Sequence, residues 1–86
     1  MILLAAFLMG SEAGANSSSL WARPETEVRE TVALMKRSNL KVLRIFLSEA
    51  RGIPDVEDPV GTWNDRILER VDFLLAECDR AGIRVI

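Results

Sequence analysis

The sequence contains no histidine. That removes imidazole metal sites, Ser-His and Cys-His nucleophile pairs, and any histidine-based proton shuttle. Its single cysteine, Cys78, excludes an internal disulfide and a cysteine-rich zinc site. The apolar N-terminal run, Met1 to Met9 (MILLAAFLM), is far shorter than the roughly 20 residues a membrane span needs, so no span is expected. An excess of positive charge is lacking too: 11 Lys and Arg face 13 Asp and Glu, a net charge of −2. The basic residues are dispersed among acidic ones, which argues against nucleic acid as a partner, because phosphate binding needs a clustered basic face. At 49% hydrophobic and 28% charged residues, the composition is that of an ordinary globular protein and not of a disordered one.

Two readings of the N-terminus compete. Met1–Met9 followed by Gly10, Ser11 and the small-x-small pattern Ala13-Gly14-Ala15 is similar to a secretory signal peptide that lacks its basic n-region. Residues 1–15 would then be a leader and the protein extracellular, and the sequon Asn16-Ser17-Ser18 would become a candidate glycosylation acceptor. Alternatively, Leu3–Met9 is a buried first strand. The two readings exclude each other.

Beyond the polar stretch Gly10–Ser19, Pro24 suits a first helical turn. Glu25, Glu27 and Glu30 place negative charge at the positive end of the helix dipole. Val28, Val32 and Met35 form one apolar stripe, and Asn39 is a left-handed stop. A helix is predicted over 25–38. Leu40–Leu47 (LKVLRIFL) is apolar at nearly every position, as expected of a parallel strand covered on both faces. By parity Arg44 shares a face with Val42 and Phe46, while Leu43, Ile45 and Leu47 face the other way.

The segment from Ser48 to Trp63 carries Gly52, Pro54, Pro59 and Gly61 and reads as a long loop. Asn64 or Thr62 then caps a second helix with Ile67, Leu68, Val71, Leu74, Leu75 and Cys78 at steps of three and four. Gly82 ends it, and Ile83–Ile86 opens another strand. Residues 36–43 and 79–86 echo each other: a charged helix end, an Asn or Gly stop, then an aliphatic strand. Helices feeding parallel strands through two-residue turns build α/β sheets. Short helix-to-strand turns beside a long strand-to-helix loop favour a barrel, whose active site is built from such loops. No glycine-rich phosphate loop follows either strand.

On these residues the chain resembles the barrel glycoside hydrolases that include family 5. The match consists of Asn39, Val42, Arg44 and Ile45, then Leu68 and Asp72, then Gly82-Ile83-Arg84-Val85-Ile86, with the lead-in Pro59–Asn64 closer to endo-mannanases than to cellulases. It covers roughly the last 55 residues, and its force lies in the order of elements each unspecific alone. The resemblance implies an α/β fold that is part of a (β/α)8 barrel, its first two or three β/α units, with residues 16–86 as the N-terminal part of the domain and the chain ending in the third strand. It implies retaining hydrolysis of β-1,4-linked mannan or cellulose by two glutamates, without a cofactor or metal. Such carboxylates stand roughly 5 Å apart. In the family they follow the fourth and seventh strands, so the chain alone is expected to be inactive and poorly ordered.

Arg44 is the residue the resemblance carries over: an inward-pointing arginine near the nucleophile. A guanidinium buried on a strand's inner face would in any case need an anionic or carbonyl partner. Trp63 and Trp21, both expected in loops, are candidates for stacking on sugar rings. Asn16, as Gly14-x-Asn16, is similar to the family's asparagine after strand one. Glu49 is read as a solvated loop residue, and Cys78 as a buried, inert thiol. Two rival classes remain: a non-catalytic α/β module that binds a partner through an exposed helix, and another barrel enzyme such as an aldolase, in which Arg44 would hold a phosphate or carboxylate.

Overall fold

A computed structural model describes residues 5–9, 12–17, 19–47, 61 and 63–86. The elements run β1 (Ala5–Met9), β2 (Glu12–Asn16), a 3-10 turn (Leu20–Ala22), α1 (Glu25–Arg37), β3 (Val42–Arg44), α2 (Asp65–Arg80) and β4 (Arg84–Val85). Most of the Ser48–Trp63 loop, with Glu49 and the alternative cap Thr62, lies outside the described residues.

The helices form where the apolar spacing predicts. In α1 the buried residues are Val28, Thr31, Val32 and Met35; in α2 they are Ile67, Val71, Leu74 and Cys78. Pro24 is the residue just before α1, not in its first turn. Asn64 caps α2, its Oδ1 accepting from the Ile67 amide at 3.4 Å, which satisfies one of the free donors of the first turn. The helix exits are near copies. Asn39 (φ 59°) and Gly82 (φ 73°) are both left-handed. Leu40 N–H donates to Met35 O at 2.9 Å and Ile83 N–H to Cys78 O at 2.8 Å, while the Asn39 and Gly82 amides bond to Lys36 O and Asp79 O. The six-to-one bond is that of a Schellman stop, so the sequence echo is a repeated structural device.

The sheet order is β1-β2-β3-β4, with β2, β3 and β4 parallel and β1 antiparallel to β2. The result is a small α/β unit with a three-stranded parallel sheet and two helices, extended by one antiparallel strand. Ala15, Leu43 and Ile83 share one core with the apolar stripes of both helices and with Leu20 and Trp21, so both helices cover the same sheet face. Ile45, Leu68 and Val85 pack against that core from its rim.

The structure corrects the sequence reading of two strands. The parallel strand that carries Asn16 is Glu12–Asn16 itself, not the apolar run before it; the expected polar linker is a strand. Met9 and Glu12 instead join two antiparallel strands, with pairs running from Ala5↔Asn16 to Met9↔Glu12. The second predicted strand is trimmed from eight residues to Val42–Arg44: Val42 and Leu43 pair with both β2 and β4, and Arg44 with β2. Among the described residues no helix is long and apolar enough to cross a membrane.

Candidate functional site

Side chains alternate across a strand, so the registers Gly14↔Val42↔Arg84 and Asn16↔Arg44 put Glu12, Gly14, Asn16, Val42, Arg44 and Arg84 on the sheet face opposite the helices. Two polar groupings result, one at each end of β2. At its start, Arg84 Nη2 bonds to Glu12 Oε1 at 2.6 Å, an ion pair that reaches from β4 to β2 across β3. Val42, on that side of β3, is 0% exposed. In the sequence Arg84 stands out only as a strand residue, because its partner lies 72 positions away.

The other grouping is at the carboxyl ends of β2 and β3. Asn16 and Arg44 are register partners, and Ser17 N–H donates to Arg44 O at 3.0 Å. The Asn16 Oδ1 is buried and finds no hydrogen-bond partner among the described residues. An acceptor left in that state costs about 1–3 kcal/mol, and a ligand hydroxyl would relieve it. Arg44 differs from expectation. Its side chain is exposed, and its guanidinium lies 5.1 Å from the centre of the Phe46 ring, a cation–π distance. An exposed guanidinium keeps its hydration, so the anionic partner that burial would have demanded is not required. The parity that groups Arg44 with Val42 and Phe46 is retained.

Trp21 is not in a loop open to a sugar. It sits in the 3-10 turn after β2, is 2% exposed, and its indole N–H donates to Phe46 O at 2.8 Å. Core burial leaves neither indole face free for stacking. Trp63 is 65% exposed, just before the α2 cap, and is the one of the two tryptophans with an open ring. Among the described residues no hydrogen bond joins Trp63 to Asn16, Arg44 or Trp21. The structure therefore pairs Asn16 with Arg44 and ties Trp21 to the end of β3 as support.

A cleft of about 710 Å3 opens on the helix layer, lined by Trp21, Pro24, Asn64, Arg66, Arg70 and Phe73 among others. Two of its lining arginines are engaged within the chain: Arg70 Nη1 donates to Ala22 O at 3.1 Å, and Arg23 bonds to Glu27 at 2.7 Å. The Arg23 partnership holds the Glu27 carboxyl below its ordinary range. Neither Asn16 nor Arg44 lines this cleft.

Chemically, the Asn16–Arg44 site offers a cation, an amide and an aromatic edge. These bind and orient polar ligands. Among the described residues no cluster of three or more His, Cys, Asp or Glu is placed to hold a metal ion. Burial, and secondarily the neighbouring Glu77, push the Cys78 thiol up to about 11, so at neutral pH it is protonated and is no nucleophile. No protein-family model matches this chain, and no curated protein matches it either.

Proposed function

We propose that this chain is the N-terminal part of a (β/α)8-barrel glycoside hydrolase that cleaves β-1,4-linked mannan or cellulose outside the cell by the retaining two-glutamate route. The observation that carries the reading is the pairing of Asn16 and Arg44 on neighbouring parallel strands, on the face turned away from both helices. In a barrel that face is the interior, and the carboxyl ends of its strands bear the active site. The Asn16 acceptor, without a partner among the described residues, suits a sugar hydroxyl, and Arg44 suits a carboxylate or a hydroxyl beside it. The exposed Trp63 offers a flat apolar surface to a pyranose. The two glutamates of the family follow strands four and seven, beyond the three parallel strands described, so this segment contributes positioning and binding.

Two structural conditions come with the proposal. Export must leave Glu12–Asn16 attached, because cleavage after Ala15 would remove β2 and with it a core residue 0% exposed. Barrel closure must free the outer edge of β2, which β1 occupies, since in a closed barrel the first parallel strand pairs with the last.

The test joins the coding sequence to an assay. The protein encoded around these residues is expected to show Asn-Glu after a fourth strand and a second Glu after a seventh, and to release product from mannan or cellulose with retained anomeric configuration. Arg44→Ala in it should lower kcat/KM by about tenfold or more with little change in stability. A reading frame without those glutamates, or one encoding an aldolase-type lysine at a strand end, overturns the hydrolase.

A further inference from the structure

Backbone groups of successive residues in an extended chain point to opposite neighbours. At the exit of β3, Arg44 O faces β2 and accepts from Ser17 N–H at 3.0 Å, while Ile45 N–H faces the other way and donates to Ile86 O at 3.0 Å. Phe46 O is the next group on the β2 side. By then β2 has ended at Asn16 and the chain has turned into the 3-10 segment. The Trp21 indole N–H takes the place of the missing strand amide, donating to Phe46 O at 2.8 Å. An indole 2% exposed and packed in the core is a fixed donor, so it holds the chain at Phe46 where the strand would otherwise fray.

The two-residue spacing also sets Phe46 and Arg44 on one face. The Phe46 ring is 40% exposed, and the Arg44 guanidinium carbon lies 5.1 Å from its centre. Among the described residues no carboxylate forms an ion pair with Arg44, so the ring is what holds the charged head. An aromatic ring attracts the charge of a guanidinium and consumes none of its five N–H donors. Those donors remain for a ligand beside the Asn16 Oδ1, on the neighbouring strand in register with Arg44. A long side chain already held in place loses less freedom when a ligand binds.

We propose that Trp21 is a positioning residue of the Asn16–Arg44 site: it fixes Phe46, whose ring holds the Arg44 guanidinium with its donors free for a ligand. The role rests on that site being a binding site, as in the hydrolase reading, and not on which ligand it takes.

Nuclear magnetic resonance of the whole chain tests the relay without a ligand, because the ring current of Phe46 displaces the Arg44 side-chain proton signals. Phe46→Leu should return those signals to the values of an arginine in an unstructured peptide, and Phe46→Trp should keep them displaced. Trp21→Phe leaves both Phe46 and Arg44 in the chain, yet should move the Arg44 signals in the same direction as Phe46→Leu. Cys78→Ala, a core change at the other end of α2 from Trp21, should not. Unmoved Arg44 signals in a folded Trp21→Phe, or equal movement in Cys78→Ala, overturn the proposal. Where Trp21→Phe does not fold, the unaltered chain decides. In urea below its unfolding transition, release of the indole N–H to exchange should accompany the shift of the Arg44 signals; independent changes overturn the relay.

Activity supplies the second arm. In a barrel that carries the two glutamates, Trp21→Phe should lower kcat/KM about threefold and add no further loss to Arg44→Ala. A barrel that loses activity on Arg44→Ala but not on Trp21→Phe overturns the positioning role alone. One indifferent to Arg44→Ala overturns the site that Trp21 would serve.

Discussion

Trp21 and Phe46 are joined across 25 residues by a hydrogen bond of 2.8 Å from the indole N–H to the backbone carbonyl. The bond ties the turn that leaves β2 to the chain that leaves β3, just beyond the Asn16–Arg44 pair. Trp21→Phe keeps an aromatic ring and removes the donor, and should cost about 1 kcal/mol. Trp21→Ala also empties a core site and should cost about 3–5 kcal/mol. Urea unfolding measures both; a Trp21→Phe variant as stable as the unaltered chain would mean that the bond contributes nothing beyond packing.

The paired helix stops make opposite predictions for two substitutions. Gly82 has open space around an added Cβ, so only its left-handed φ of 73° opposes alanine. Gly82→Ala should therefore destabilise by about 1–2 kcal/mol. Asn39, at φ 59°, already carries a side chain in that conformation, and Asn39→Gly should be neutral within about 0.5 kcal/mol. A neutral Gly82→Ala would show that the left-handed turn is not kept in solution.

Arg29 stacks on the Phe73 ring at 5.1 Å and reaches Glu77 at 3.4 Å, linking α1 to α2. Arg80, and then Arg29, hold the Glu77 carboxyl below its ordinary value of 4.5. A carboxylate so depressed stabilises the fold above that ordinary value and loses its contribution as pH falls through the folded one. Glu77→Gln should lower the thermal midpoint slightly at neutral pH and leave it unchanged well below pH 4, where wild type has lost the same interaction. A difference from wild type that is constant across pH would assign the effect to packing.

Cys78 should resist thiol reagents in the folded protein. With its thiol pushed up to about 11 and its side chain in the core, modification near neutral pH should follow global opening and accelerate with denaturant. Rapid labelling without denaturant would contradict the α2 packing.

Much of this architecture is legible locally. The stripes Val28-Val32-Met35 and Ile67-Val71-Leu74-Cys78, the Asn64 cap and the left-handed Asn39 and Gly82 each depend on residues within one or two turns. Leu75 breaks the pattern: predicted on the apolar face of α2, it is 40% exposed, since a helix buries only the arc that meets its neighbours. The candidate site was less legible. Asn16 and Arg44 were recognised separately, but their register depends on which strands pair. Trp21 was misplaced because a Leu-Trp pair between polar stretches carries no periodicity.

The amino-acid sequence by itself determined the two helices, their ends and the aliphatic strands that follow them, because those features arise from contacts a few residues apart. Only the tertiary structure decided that the small polar segment Glu12–Asn16 is a strand. Its Ala and Gly residues have weak strand preference, and it is held by partners on both sides: β1, whose Ala5 is 11 positions before Asn16, and β3 beyond a whole helix. The same long-range pairing decided the burial of Trp21, the exposure of Arg44 and the ion pair between Glu12 and Arg84. Each is set by which backbone groups find partners across the sheet, which no local window of residues contains.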